Sequence, residues 1–294
     1  MQFRTIIMGV LILSALYTQG FDKKSTHTIE KNMQLSSAET SSMTMYVANI
    51  NGNIEVQGYN GNDIQLTATK RIKSKWGNHE ENVNNINLEM DRSGNTVRVY
   101  LKAPFIKLKE NGVDKLSYKF INHDDDELPY EFEFDIEIRV PNRMLVDVGT
   151  INGNHVTVSD MQSALMKAKN INGDVVLNNV TGETHAHTIN GNVNVEFTSN
   201  PTQDSDFKTI NGDIDVSFPD NLNAEIHFSS LHGDVFTDFE NVSYGKSGVQ
   251  RDRDKRGNAR YKVGREIPIV IGDGGPKHSF EVINGDVYIR RIKS

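Results

Sequence analysis

A four-residue sequence motif, which we call the phrase, occurs seven times along this chain, and its spacing constrains the fold more than any other feature. Six copies read Ile-Asn-Gly followed by Asn or Asp, and one copy is the variant Leu-His-Gly-Asp. From Gly153 to Gly233 the phrase glycines stand 20, 18, 21 and 21 residues apart. A regular period in this range is typical of chains that stack one structural unit on the next. The central pairs are Asn51-Gly52, Asn152-Gly153, Asn172-Gly173, Asn190-Gly191, Asn211-Gly212, His232-Gly233 and Asn284-Gly285.

The residues on both sides of each glycine alternate between apolar and polar. The fifth residue before the glycine is apolar in all seven copies, and its two neighbours are mostly polar. This period of two predicts a half-buried β-strand before the glycine, and a matching pattern such as Val175 and Leu177 predicts a second strand after it. After Gly153 the aliphatic residues Val156 and Val158 come one place late. That shift predicts a β-bulge at this copy.

Asn-Gly between two alternating segments has two interpretations, because both residues reach a positive φ at low cost. It is the strongest local signal for a tight β-hairpin, and it equally suits the corner of a β-solenoid. A hairpin would leave seven branched aliphatic residues in water opposite polar ones. We therefore favour a corner at which this Ile or Leu column turns inward, with amide ladders along the Asn column and parallel pairing between coils.

These patterns predict an all-β chain folded as a β-solenoid with coils of about 20 residues. Segments 63–71, 86–101 and 130–140 also alternate, and they predict degenerate rungs or edge strands. Two charged loop excursions interrupt the array, an acidic one at residues 123–127 and a basic one at residues 246–265.

The N-terminus has the features of a secretory signal peptide. Arg4 precedes an apolar run that is too short to span a bilayer, and small residues precede a cut after Gly20. We therefore expect a signal peptide at residues 1–20, a flexible segment at 21–34 and one solenoid domain at 35–294. The mature chain would have no transmembrane segment and would be exported, to the periplasm or the cell surface.

Composition and motifs bound the function. A net charge of −7 and a pI near 5.7 argue against nucleic-acid binding. The chain contains no common nucleophile, phosphate-loop or dinucleotide motif, so we predict a non-catalytic protein without a cofactor. Because carboxylates on a solenoid face can cleave polysaccharides, a carbohydrate-active enzyme is one alternative. A structural protein that stabilises envelope assemblies is another, although Arg290, Arg291 and Lys293 resemble charged protection of the final edge.

In-register stacking would align polar residues into outer columns. One column would contain Lys167, His185, Asp206 and His227, and the next would contain Lys169, His187 and Lys208. The two histidines could bind Zn²⁺, but the flanking lysines disfavour that. The acidic loop lacks a calcium-loop pattern. The Asn and Asp residues after the phrase glycines could bind cations between rungs, but amides interrupt that column, and no metal is predicted. The columns are therefore either a stripe that contacts a polar ligand or glycan, or an ordinary solvated face.

The repeated phrase with its alternating valines, the Val140-Pro141 ending and the final Phe280-to-Ile289 stretch resemble a bacterial family of adhesin-like β-solenoids related to the head GIN domain. The resemblance covers roughly residues 35 to 292. It implies an exported, right-handed, single-stranded β-helix of adhesin type, and its partner would be a cell-envelope component or a glycan. It identifies no active site.

Overall fold

The computed structural model describes residues 24–74, 85–110, 116–120, 130–244, 249–253, 259–263 and 268–292. Within these ranges the chain is all-β, with one short 3-10 turn at Thr40–Ser42. The strands of the first half are β1 Lys24–Gln34, β2 Thr44–Ala48, β3 Ile54–Tyr59, β4 Asp63–Ser74, β5 Asn87–Ser93, β6 Thr96–Lys102, β7 Ile106–Glu110, β8 Leu116–Phe120, β9 Tyr130–Pro141, β10 Leu145–Gly149 and β11 Asn152–Ser159. Those of the second half are β12 Leu165–Lys169, β13 Asn172–Val180, β14 Glu183–His187, β15 Val193–Phe197, β16 Ser205–Asn211, β17 Ile214–Pro219, β18 Ala224–His232, β19 Val235–Thr237, β20 Val242–Tyr244, β21 Val249–Arg253, β22 Ala259–Val263, β23 Ile269–Ile271, β24 Lys277–Asn284 and β25 Val287–Ile292.

Most strands belong to two large sheets. The first sheet has the order β1-β4-β9-β3-β11-β13-β15-β17-β25-β19, and the second has the order β20-β23-β18-β24-β16-β14-β12-β10-β2-β6-β5. Within the repeats, each copy of the phrase joins one strand of the second sheet to one strand of the first, and we call such a pair a rung. The strands on either side of each Asn-Gly therefore lie in different sheets, which excludes the hairpin interpretation.

Neighbouring rungs pair in parallel and in register. Val146 lies opposite Met166 in the second sheet, and Val175 lies opposite Val193 in the first. Residues at equal distances from the corner consequently form columns along the stack. The bulge predicted after Gly153 is confirmed, because the pairing of β11 with β13 shifts register between Asn152 and His155.

The first and last rungs do not stack in chain order. β24 lies between β16 and β18, and β25 lies between β17 and β19. At the other end, β2 and β3 are likewise inserted, between β6 and β10 and between β9 and β11. Parallel pairing depends on matching corners rather than on chain order, so a late copy of the phrase fits between two earlier ones. The interpretation of Arg290 and Arg291 as edge protection was therefore wrong, since β25 is interior and β19 is the edge.

Antiparallel strands cover several ends of the stack. β1 and β4 pair antiparallel beyond β9, β5 pairs with β6, and β23 pairs with both β18 and β20. The segment expected to be flexible, residues 21–34, thus contains β1, which pairs with β4 along its whole length. The predicted strands at 63–71, 86–101 and 130–140 are present. Part of the basic excursion forms the β21–β22 hairpin, whereas the acidic excursion at 123–127 lies outside the described residues.

The core lies between the two sheets and is continuous along the stack. Aromatic rings fill it in the later rungs, where Phe197 stacks on Phe218 with ring centroids 5.1 Å apart and Phe207 stacks on Phe280 at 5.0 Å. Burying such rings supplies much of the hydrophobic stabilisation in a chain that has no disulfide.

The corner does not turn its aliphatic column inward, which corrects our prediction. Ile50 is buried, but Ile171, Ile189 and Ile210 are each 38% exposed and Leu231 is 71% exposed. The residue before each aliphatic faces inward instead, and in most rungs it is a small polar residue. This polar side chain can be buried because it donates a hydrogen bond to a backbone carbonyl at the corner. For example, Thr188 Oγ1 donates to the Gly173 oxygen at 2.7 Å.

Candidate functional site

The predicted surface residues lie on the outward side of the second sheet, which we call the outer polar face. Pairing of β12, β14 and β16 places Lys167 opposite His185 and His185 opposite Asp206. The neighbouring column is formed in the same way by Lys169, His187 and Lys208. The face is flat because parallel neighbours present their side chains at equal height.

His227 does not adjoin Asp206 as expected. The inserted strand β24 places Ser279 between these two residues, and it places Glu281 next to Lys208. His227 lies instead 3.7 Å from Glu225 on its own strand. The prediction assumed that rungs stack in chain order, and the insertion of the last rung breaks that assumption.

Asp206 is the centre of the outer polar face. Its carboxylate accepts short hydrogen bonds from His185 Nδ1 and His187 Nε2. The second ring nitrogen of His185 lies 2.7 Å from Glu183 Oε1, and Lys208 Nζ lies 3.2 Å from Glu281 Oε1. These contacts hold both imidazole rings in fixed orientations on a rigid sheet.

The electrostatics of Asp206 follow from the same contacts. Partial burial on its own would raise the pKa of Asp206, but hydrogen bonds from His187 and His185, together with their charges, lower it well below its usual range. The carboxylate is therefore a stable negative charge over the physiological pH range. It serves as a fixed acceptor rather than as a proton donor.

The corner is stabilised by an unbroken ladder of asparagine side chains. Asn152 donates to Asn51, Asn172 to Asn152, Asn190 to Asn172, Asn211 to Asn190 and Asn284 to Asn211, over Nδ2–Oδ1 distances of 2.8–2.9 Å. At the variant copy, the backbone oxygen of His232 accepts from the Gly285 amide at 3.1 Å. Each amide between the two ends of the ladder is both donor and acceptor, which accounts for Asn at this position.

The Asn and Asp residues after the phrase glycines have a structural role of their own. The Asp174 carboxylate accepts from the Asn192 backbone amide at 2.7 Å, and the Asp213 carboxylate accepts from that of Asp286 at 2.8 Å. Within the described ranges, no group of three or more histidine, aspartate or glutamate side chains is arranged to hold a metal ion.

Sequence reasoning missed an exposed row of aliphatic side chains, which we call the aliphatic ridge. It contains Ile171, Ile189, Ile210, Ile283 and Leu231 in spatial order along the stack. The available signal was the small polar residue, Asn, Thr or Ser, that precedes four of the five aliphatics, whereas Ile283 follows Val282. Thr188 and Thr209 are buried, and Ile189 and Ile210, which follow them, are exposed.

Sequence reasoning also missed a polar recess on the outward side of the first sheet. The recess measures about 400 Å³ and is lined by Glu30, Asn32 and Gln34 of β1 and by Asp63, Gln65 and Thr67 of β4. Tyr59 donates a short hydrogen bond to Asp63, which lowers the pKa of that carboxyl. The Arg139 guanidinium lies 4.8 Å from the centre of the Tyr59 ring.

No helix in the described part of the chain is long and apolar enough to cross a membrane. Among proteins with curated descriptions, none matches this sequence.

The similar solved structures include proteins from the genera Clostridium, Bacteroides and Parabacteroides. A "putative cell adhesion protein" from Clostridium sporogenes is 9% identical, with a TM-score of 0.38, over 90% of this chain and 99% of that one. A "putative adhesin" from Bacteroides fragilis is 12% identical, with a TM-score of 0.31, over 90% and 97%. A "putative lipid binding protein" from Parabacteroides distasonis is 10% identical, with a TM-score of 0.31, over 90% and 97%.

The family comparison covers most of the chain. Residues 21–266 match the family described as Toastrack DUF4097, a span that includes all but the last of the phrase copies. The two-sheet, mostly parallel architecture agrees with that match. This chain belongs to the Toastrack DUF4097 family.

Proposed function

We propose that this protein is an exported, non-catalytic binding module of the bacterial cell envelope, adhesin-like in its role. In this proposal the stack is a right-handed solenoid with coils of about 20 residues. Its binding surface is the outer polar face, and its ligand is an extended envelope glycan. The observation that carries the proposal is the pre-oriented cluster of Asp206, His185 and His187 at the centre of that flat face.

The geometry of the outer polar face suits ligand binding better than catalysis. The histidine rings are held by a carboxylate that stays ionised, so the cluster is already ordered before a ligand binds to the face. Lys167, Lys169 and Lys208 extend the polar surface across three neighbouring rungs. Because rungs repeat about every 4.8 Å, an extended ligand with repeating hydroxyl groups would contact several of them at once.

Binding would be tested with the purified chain on immobilised envelope polysaccharides and peptidoglycan. We expect the Asp206→Asn variant to bind about tenfold more weakly than the wild type, since it removes the charge that orients both imidazole rings. The measurement is a titration by biolayer interferometry.

The matched control is Asp215→Asn on the outward side of the first sheet. Asp215 also has an ionic partner, because Arg290 Nε lies 2.7 Å from its carboxylate, yet it lies off the proposed surface. The control should bind like the wild type. Equal losses in both variants, or no glycan binding by the wild type, would refute the assignment of this face.

The proposed export of the protein leads to a separate prediction about its N-terminus. We expect a bacterial host to remove residues 1–20, so that N-terminal sequencing of the protein outside the cytoplasm begins at Phe21. A Gly20→Trp variant should remain uncleaved, because signal peptidase requires a small residue before the cut. Accumulation of an unprocessed wild-type chain in the cytoplasm would contradict the proposal.

A further inference from the structure

The aliphatic ridge lies outside the cluster of buried core residues. Its five residues occupy five successive rungs, and four of them are 38–41% exposed while Leu231 is 71% exposed. Isolated exposed aliphatic residues are common, but an aligned row on one corner forms a continuous apolar patch. At most of these corners the residue before the aliphatic takes the buried position, as do Thr188 and Thr209, which donate to the Gly173 and Gly191 carbonyl oxygens.

The charges on the two sides of the ridge differ in sign. On the side of the first sheet, beyond the asparagine ladder, lie Asp174, Asp213, Asp286 and Asp234. On the side of the second sheet lie Lys169, His187 and Lys208, with Glu281 paired to Lys208. The ridge therefore separates an acidic column from one whose first three members are Lys169, His187 and Lys208 and whose last two are Glu281 and Ser229.

We propose that the aliphatic ridge is a homodimer interface whose occupant is the same ridge of a second copy. The two-fold axis would run parallel to the stack. A rotation about that axis places the column of Lys169, His187 and Lys208 in each copy against the acidic column of the other. Lys169 of one copy then lies opposite Asp174 of the other, and Lys208 of one copy lies opposite Asp213 of the other. A two-fold axis perpendicular to the stack would instead set like charges against each other.

The size of the surface fits a modest dimer. Five or six rungs spaced about 4.8 Å apart give a length of about 25 Å. Together with the asparagine ladder and the flanking charged columns, the corner would bury on the order of 600 Å² per copy, near the lower limit for specific interfaces. We therefore expect a dimer that forms reversibly. Lys169, His187 and Lys208 also belong to the outer polar face, so the test below changes the ridge residues and leaves those three side chains in place.

Mutation of the ridge tests the interface. Sedimentation equilibrium of the wild-type chain should show a monomer–dimer equilibrium, and the double variant Ile189→Thr with Ile210→Thr should raise the dissociation constant at least about tenfold. Threonine keeps the β-branched shape that suits a strand, so the fold should persist, as checked by circular dichroism. The control is Tyr244→Gln, which changes an 81% exposed residue away from the ridge and should leave the equilibrium unchanged.

The absence of cysteine from the sequence allows a test of orientation that does not weaken the interface. Under mild oxidation, Ile171→Cys and Leu231→Cys should each form disulfide-linked dimers with their own copies, because the parallel axis brings equal rungs together. An antiparallel arrangement would link Ile171→Cys to Leu231→Cys only when the two variants are mixed. A wild-type chain that is monomeric at all concentrations, a dimer indifferent to the ridge variants, or a monomer whose ridge binds phospholipid vesicles would each overturn the proposal.

Discussion

Replacing Gly173 by alanine is expected to lower the free energy of unfolding by on the order of 3 kcal/mol. Gly173 has a φ of +136°, and a Cβ built there would lie 1.9 Å from the Gly153 carbonyl oxygen of the neighbouring rung. That oxygen also accepts a 2.9 Å hydrogen bond from Asn170 Nδ2, so it cannot withdraw without loosening a second corner. Chemical denaturation, followed by fluorescence and circular dichroism, measures the change.

Gly94 provides the matched control for this prediction. Its φ is +58°, also in the left-handed region, but a Cβ there would meet nothing within 4 Å. Gly94→Ala should therefore cost only the conformational penalty, about 1 kcal/mol. If both variants lose the same stability, close approach between rungs is not what requires glycine at the corner.

Acidification is expected to destabilise the stack through His278. This residue is fully buried on the inserted strand β24, and its ring stacks on Phe218 with centroids 5.4 Å apart. Burial lowers the pKa of His278 to about 4, although the Asp204 carboxylate and the Lys277 carbonyl oppose that shift. The contribution of His278 to stability is therefore complete above pH 6.5 and falls as the pH drops towards 4, because the unfolded chain binds the proton first.

The size of this effect follows from the difference between the pKa of His278 in the unfolded chain, 6.5, and its pKa in the folded chain, about 4. At about 1.4 kcal/mol per pH unit, the loss attributable to His278 reaches about 3 kcal/mol near pH 4. A His278→Phe variant cannot take up this proton, so the difference in unfolding free energy between the wild type and this variant should change by that amount between pH 7 and pH 4.

Phe197→Leu is the control for the His278 prediction. It alters packing in the same aromatic core while leaving His278 in place, since Phe197 contacts Phe207 and Phe218. It should lower stability at both pH values without altering the pH dependence. A constant difference between the wild type and His278→Phe would show that the buried imidazole does not govern acid lability.

The local sequence pattern was sufficient to predict the fold class and much of the corner structure. Alternation around each glycine is a property of neighbouring residues, so it predicted the strands and the bulge near His155. A phrase repeated at a near-constant interval implied stacked coils, and Asn at equal positions implied amide pairing along the stack.

The errors came from interactions between residues far apart in the chain. The place of His227 depended on where β24 inserts, about 50 residues later, and no local pattern reports that. The segment at residues 24–34 has no recognised repeat, yet it pairs with β4. The direction of the Ile column depended on whether Thr or Ile occupies the inside of the bend. A prediction from alternation places every polar residue on the outward face, so it placed Thr outside and Ile inside.

Neighbouring residues alone are enough to specify an all-β stack with glycine corners, because strand alternation and positive φ are local properties of the chain. The order of the rungs, the cluster around Asp206 and the exposure of the aliphatic ridge arise only when the chain has folded. Each of these depends on which distant backbone groups pair across the stack. Since all the corners carry nearly the same phrase, pairing between distant rungs, and not local preference, selects among the possible orders.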